Sequence, residues 1–550
     1  MQKLIAAIVA ITFILFGCSE YSKEKESSDL KKKIDQYSKT ELTYDENLLD
    51  ANQKVVVEKL YAAGKIMDRI FLNQVYSRNE EIEELLYRSQ DPMDSLVLEY
   101  FKINFGPFDR LDHDKPFYGK EEKPAGANFY PEDMTKEEFE NFIKENPEKE
   151  AEFTSEFTMI RRVNRELVAI PYTEYYDAQL AEVSKLLTEA AEFADNKTLK
   201  NYLLTRAKAF LTNDYYESDM AWMDLDDHTI EVIIGPYEVY EDGLFNYKAS
   251  FETFLTIVDP LSTERLKTFA NYLTEMEENL PIPQDHKNFE RGSDSPIVVA
   301  QEVFSAGDTK AGVQTLAFNL PNDERVRKAK GSKKVMLINV HEAKFEKLLK
   351  PISDMVLDES QLQYVTFDAF FNHTLMHEMS HGLGPGFISV DGKETEVKKE
   401  LKETYSTMEE CKADILGLYN NSFMIGKGVY PKEFENEMWI TFLGGVFRSI
   451  RFGINEAHGG GNAIIYNYLL EKGAYEFNAE SKRVKVNFEK AYPALKELAN
   501  EVLMIQATGN YEGAKSMIAK YAVESKSIKI LVEKLKVLPV DITPEFQIEK

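Results

Sequence analysis

The sequence predicts a mainly helical α+β protein of two domains, one of them discontinuous along the chain. Three observations carry this expectation. At 550 residues the chain is longer than one hydrophobic core usually serves. Apolar residues recur at helical spacing over most of its length. Short β-type runs, separated by helical sequence, sit in its middle third, which implies a mixed domain interrupted by a helical one.

Residues 1–17 carry Lys3, then an apolar run through Phe16, then Gly17 and Cys18, the layout of a secretory signal. Leu15-Phe16-Gly17-Cys18 resembles a bacterial lipobox, which makes Cys18 the expected lipidation site and mature N-terminus. The localisation this implies is the bacterial cell envelope, with the exported chain lipid-anchored to a membrane. Residues 18–46 are polar and charge-rich, Lys31-Lys32-Lys33 included, and read as a flexible tether. From about 48 to 105 the spacing of Val56, Leu60, Ile66 and Ile70 predicts helices. Pro107, Pro116, Gly119, Pro124, Gly126 and Pro131 among aromatics mark 106–132 as an ordered loop. Helical periodicity returns from Met134 to about Leu211. β-type runs follow at Thr229–Ile234, Gln314–Asn319 and Lys334–Asn339, with a helical insert expected over Phe251–Glu278. Beyond Phe345 the chain reads as helical to about Ala507, and again from Tyr511 to Leu535.

With 94 acidic against 66 basic residues, the net charge of −28 repels nucleic-acid phosphates, so nucleic acid is discounted as a partner. Only Cys18 and Cys411 occur, too few for a disulfide framework once Cys18 is lipidated.

The chemistry is concentrated in a short stretch. Phe367–Leu383 reads as a helix bearing His377-Glu378-Met379-Ser380-His381. Histidines four residues apart share a helix face, so both rings can reach one zinc ion while Glu378 lies beside it as the base for the attacking water. A catalytic zinc commonly takes three protein ligands, so the third must come from elsewhere. The run Glu409-Glu410-Cys411-Lys412-Ala413-Asp414 opens a second helix, expected over Met408–Asn420, and sets Glu410 and Asp414 on one side. Glu410 is the expected ligand, with Asp414 orienting a histidine from behind. His373 reads as structural and Cys411 as packing. His113, His228, His286 and His341 stand alone and read as surface or core residues.

Together, His377-Glu378-x-x-His381 and Glu409-Glu410-Cys411-Lys412-Ala413-Asp414 resemble the dipeptidyl peptidase III family, in the bacterial form with a five-residue first motif. The resemblance extends over roughly Asp227 to Tyr475. It implies that Glu231 holds the free amino end of a peptide, that Asn319 and Asn322 bind the substrate backbone, that Glu409 supports the metal site, and that His458 stabilises the reacting carbonyl. It also implies two lobes flanking a wide cleft. The mixed lobe, with a small β-barrel-like core, is expected over 47–250, 296–345 and 509–550, and the helical lobe with the zinc over 251–295 and 346–508. The expected activity is release of dipeptides from peptide substrates by one Zn2+ per chain.

Two positions depart from the family pattern. Ile233 stands where a tyrosine is expected two residues after the glutamate, and Asn462 where an arginine is expected four residues after His458. A zinc endopeptidase or aminopeptidase of different register, or a lipoprotein that binds peptides without cutting them, are the alternative readings.

Overall fold

The computed structural model describes residues 25–289 and 296–550. The signal segment and Cys18 lie outside the described residues. Among these, no helix is long and apolar enough to cross a membrane. The chain forms two compact units. Of the described residues, one comprises those up to Val258, Ala300–Lys334 and Asp541–Lys550; the other comprises those of Asp259–Val299 and Val335–Val540.

The strands that matter are β1 (Tyr37–Leu42), β2 (Ile230–Glu238), β3 (Ser250–Val258), β4 (Ile297–Gly307), β5 (Ala317–Leu320), β6 (Lys333–Leu337) and β7 (Asp541–Phe546). Five of them make an open sheet in the order β2-β3-β4-β6-β5, not the barrel-like core expected. β2 and β3 pair antiparallel from Ile230↔Ile257 to Glu238↔Ser250. All but the last residue of each is buried. A strand covered on both faces shows no alternation, which is why Phe251–Val258 reads as part of a helix. Its β-branched and aromatic content is the signal that distinguishes it. The helical insert therefore begins only at Pro260, where Asp259 caps the helix Pro260–Ala270.

The tether also ends earlier than expected. Residues from about 25 to 34 are helical, Leu30 and Ile34 are buried, and β1 pairs in parallel with β7 from Tyr37↔Asp541 to Leu42↔Phe546. Lys33 belongs to the fold, with its Nζ 2.5 Å from Asp109; the run of charge hides an apolar stripe. The C-terminal helices Tyr511–Tyr521 and Lys526–Leu535, expected in the mixed lobe, belong to the second unit. Asn467 donates to the carbonyls of Tyr521 (2.8 Å) and Val523 (3.0 Å), and Arg451 to those of Leu535, Leu538 and Pro539.

Five helices of the second unit frame its chemistry: α1 (Phe367–Ser380), α2 (Tyr405–Gly426), α3 (Phe434–Ile450), α4 (Ala457–Glu471) and α5 (Phe488–Ala507). Thr366 caps α1, and its hydroxyl reaches Glu437 of α3 at 2.9 Å. α2 is buried almost continuously from Cys411 to Asn421. Two glycines let its neighbours approach. A Cβ at Gly417 would stand 3.1 Å from the His373 ring and 3.3 Å from the His377 nitrogen. One at Gly461 would stand 2.9 Å from the Cys411 nitrogen. Close helix contact is what lets short side chains on α1, α2 and α4 meet.

Candidate active site

α1 and α2 bring His377, His381 and Glu410 together, each offering one ligand atom, with all three atoms within 4.8 Å of one another. Glu410 Oε2 lies 3.4 Å from His377 Nε2 and 3.8 Å from His381 Nε2. It is buried and, although imidazole nitrogens surround it, it makes no well-aligned hydrogen bond. A carboxylate oxygen left in that state is costly unless a cation completes it. Two imidazole nitrogens and one carboxylate oxygen are the donor set of a catalytic zinc with its fourth position open.

The far side of each ring is held by an acid. His377 Nδ1 is 2.8 Å from Asp414 Oδ1, and His381 Nδ1 is 3.0 Å from Glu409 Oε1. This turns both Nε2 atoms towards Glu410 and fixes their tautomer for ligation. Burial works against a charged His377, but Asp414 and Glu410 outweigh it and push its pKa up to about 10. The field that holds a proton there equally favours a dication. Burial likewise opposes ionisation of Asp414, yet His377 keeps it well below the usual carboxylate range.

The acids are themselves supported. Lys412, buried, lies 2.8 Å from Glu409 Oε1 and donates to the carbonyls of His381 (3.2 Å) and Leu383 (3.1 Å), pinning the end of the metal helix. Gln506 of α5 donates to Glu409 Oε2 at 2.9 Å. Against the cost of burial, Lys412 and His381 bring Glu409 down to about 2. Asn462 donates to Asp414 Oδ2 at 2.8 Å. Lys412 and Gln506 carry no sequence signal of a role at the site, because neither belongs to a spacing that metal chemistry requires.

His458 starts α4 with its ring largely in solvent and its Nδ1 3.1 Å from Glu410 Oε2. Glu378 is half-buried beside His377 on α1. His373 Nε2 meets the Asp414 carbonyl at 3.1 Å and its ring packs on Phe442. Burial pushes His373 down to about 4, which suits the structural role expected. Cys411 is buried. His341, in the core, sets its Nδ1 2.8 Å from the Leu337 carbonyl.

The expected substrate residues lie in the first unit. Glu231 is not placed to receive a peptide's amino end. Its side chain is 1% exposed, and its two oxygens are taken by Lys333 Nζ (3.3 and 3.1 Å), His228 Nε2 (2.7 Å) and the Trp222 indole. His228, read as solitary, is thus a partner of Glu231. Burial alone would raise Glu231, but Lys333 and His228 keep it ionised below its ordinary value.

The carboxylate that meets Asn322 is Glu238, at the end of the same strand. Asn322 lies close enough to the Glu238 side chain to oppose the rise that burial gives it, and it donates to the Tyr237 carbonyl at 3.0 Å. Asn319 is exposed nearby in sequence on β5. Glu238-Val239-Tyr240 carries the glutamate-x-tyrosine spacing that Glu231 lacks, a signal that was legible in the sequence. Tyr240 is 79% exposed. Glu252 and Asp308 complete an acidic group around Glu238. Burial raises Glu238, and burial with the neighbouring acids raises Glu252 well above its usual value and Asp308 to about 7.

A histidine pair, a distal glutamate ligand and a glutamate next to the first histidine define a metallopeptidase-type centre. Residues 132–394 match the family described as peptidase family M49. A protein named Nudix hydrolase 3, from Arabidopsis thaliana, is 39% identical over 583 aligned positions, covering 96% of this chain and 75% of that protein. The solved structure of dipeptidyl peptidase III from Caldithrix abyssi superposes with a TM-score of 0.93 at 67% identity, over 94% of this chain and 99% of that one. Its counterpart from Corallococcus sp. strain EGB gives 0.79 at 42%, over 94% and 97%. The chain belongs to the dipeptidyl peptidase III family, peptidase family M49, and is a metallopeptidase of the dipeptidyl-peptidase type.

Proposed function

We propose that this chain is a zinc-dependent dipeptidyl peptidase that removes dipeptides from the free N-terminus of oligopeptides. The observation that carries the zinc reading is Glu410 Oε2, buried with no well-aligned hydrogen bond and faced by the imidazole nitrogens of His377 (3.4 Å), His381 (3.8 Å) and His458 (3.1 Å). His377, His381 and Glu410 are its ligands, and Asp414 and Glu409 orient the rings. Zinc bound there supplies Lewis-acid polarisation of the scissile carbonyl and acidifies the attacking water. Glu378 takes the proton of that water and returns it to the leaving amine. His458, exposed at the first turn of α4, donates to the oxygen on which charge develops.

Recognition of the amino end falls to Glu238 with Asn322, not to Glu231. An ammonium placed against Glu238, Glu252 and Asp308 relieves the mutual repulsion of three acids, and Glu252 Oε1 is buried with no partner of its own. Asn319 and Asn322 supply backbone hydrogen bonds to the bound peptide.

The test is cleavage of one peptide with its N-terminus free and N-acetylated, products identified by mass. Dipeptide release from the free form alone is expected. Equal internal cleavage of both forms indicates an endopeptidase, single-residue release indicates an aminopeptidase, and retained zinc without turnover indicates a peptide-binding protein.

A further inference from the structure

We propose that Asn462 is a positioning residue for the metal centre, locking the carboxylate that orients His377 and tying it to the helix turn that presents His458. This rests on the zinc reading above and extends it to a residue that touches neither metal nor substrate.

The argument is a count of hydrogen-bonding atoms. Asp414 Oδ1 faces His377 Nδ1 at 2.8 Å, and Asp414 Oδ2 accepts from Asn462 Nδ2 at 2.8 Å. Both carboxylate oxygens are therefore fixed, and the plane of the carboxylate, which sets the tilt of the His377 ring, cannot rotate without breaking one bond. The Asn462 amide has two hydrogens; the one not given to Asp414 serves the His458 carbonyl at 3.0 Å. One side chain thus links the support of a metal ligand on α1 to the first turn of α4. The link depends on close helix packing, since Gly461 is the position at which α4 meets the backbone of Cys411. Asn462 is 3% exposed and Asp414 7%, so water does not readily replace the amide as donor.

The identity of the residue matters as much as its place. A neutral amide satisfies Asp414 Oδ2 without drawing off its charge, which stays directed at His377. A guanidinium at this position would compete with His377 for that charge. Asn462 in place of arginine is therefore a working part of this site.

The test compares full-length N462A and N462L with the unchanged chain, using three readouts: zinc affinity by competition with a chelator, kcat and KM on an unblocked peptide, and the melting temperature of the metal-free protein. N462L keeps the approximate volume and removes the donor; N462A removes both. The zinc dissociation constant is expected to rise about 10–100-fold, the scale seen when partners behind metal ligands are lost. The expected kinetic signature is a lower kcat with KM within about twofold, because Asn462 does not contact substrate. The metal-free melting temperature is expected to stay within about 4 °C, a cost near 1 kcal/mol in a domain of this size. Zinc affinity unchanged in both variants overturns the proposal, as does loss of the metal-free fold in both, which makes Asn462 a scaffold residue. A chain with Asn462 intact that binds no zinc would instead sink the zinc reading itself.

Discussion

Replacing Glu409 with glutamine tests how far the metal site depends on acids that never touch the metal. Glu409 receives His381 Nδ1 at 3.0 Å, Lys412 Nζ at 2.8 Å and Gln506 Nε2 at 2.9 Å. Glutamine keeps one acceptor, so His381 retains a partner, but the counter-charge of Lys412 disappears. Lys412 is 2% exposed and keeps only the His381 and Leu383 carbonyls. Removing one partner of a buried ion pair costs about 3–5 kcal/mol, and those two carbonyls place E409Q at the lower end, about 3 kcal/mol. The loss falls on the piece of chain that ends the metal helix, so zinc affinity is expected to drop about 10–100-fold as well. Urea unfolding of the metal-free protein followed through Trp439, the tryptophan of the second unit, reads the first effect, and chelator competition reads the second. Unchanged zinc affinity together with a stability loss under about 1 kcal/mol would refute the claim that Lys412 and Glu409 act as one clamp.

Three further outcomes follow from the geometry. E378Q is expected to lower kcat by about 10²–10⁴ with zinc content unchanged, since the proposed mechanism gives Glu378 the proton and leaves it out of the ligand set; loss of zinc in that variant would contradict the assignment. E238A is expected to lower kcat/KM on unblocked peptides by at least about tenfold with the fold and zinc content kept, whereas E231Q is expected to lower stability without that loss of kcat/KM; the reverse pattern would restore Glu231 as the amino-end clamp. Glu241, against the cost of burial, is brought from 4.5 to about 2 by Arg110 (3.0 Å) and Lys123 (2.6 Å). Its stabilisation is complete above its unfolded pKa and is lost as pH falls from about 4.5 to 2. It amounts to about 3 kcal/mol near neutrality, read as a gap in Trp222-detected unfolding between the unchanged chain and E241Q that narrows below about pH 4.5 and closes only as the pH approaches 2.

The cluster of His377, His381 and Glu410 was legible because zinc chemistry imposes a spacing: two histidines one helical turn apart, with an acid pair ahead of a second helix core, form a combination that solvated helix surfaces seldom carry. The residues behind them were only partly legible. Asp414 follows Glu410 by one turn and could be placed on its face; Gln506 acts through a contact between helices far apart in sequence and no local pattern marks it, while Lys412, inside the second motif, and Asn462, a departure from the family pattern, were in view without the contacts that give them a role. The resemblance was laid on Glu231, the first glutamate of the strand, and nothing local shows that Lys333, 102 residues away, pairs with it. In the fold, long helices announced themselves by period, while β3, and β4 from Glu302 onward, are buried on both faces and had no alternation to show. The charged segment before Tyr37 concealed a helix because only Leu30 and Ile34 turn inward.

The most direct measurement is an anomalous-difference map of crystals at the zinc absorption edge. One peak is expected about 2.0–2.2 Å from His377 Nε2, His381 Nε2 and a Glu410 carboxylate oxygen, absent in H377A. A peak bound elsewhere, or one that leaves Glu410 beyond bonding distance, would contradict the account.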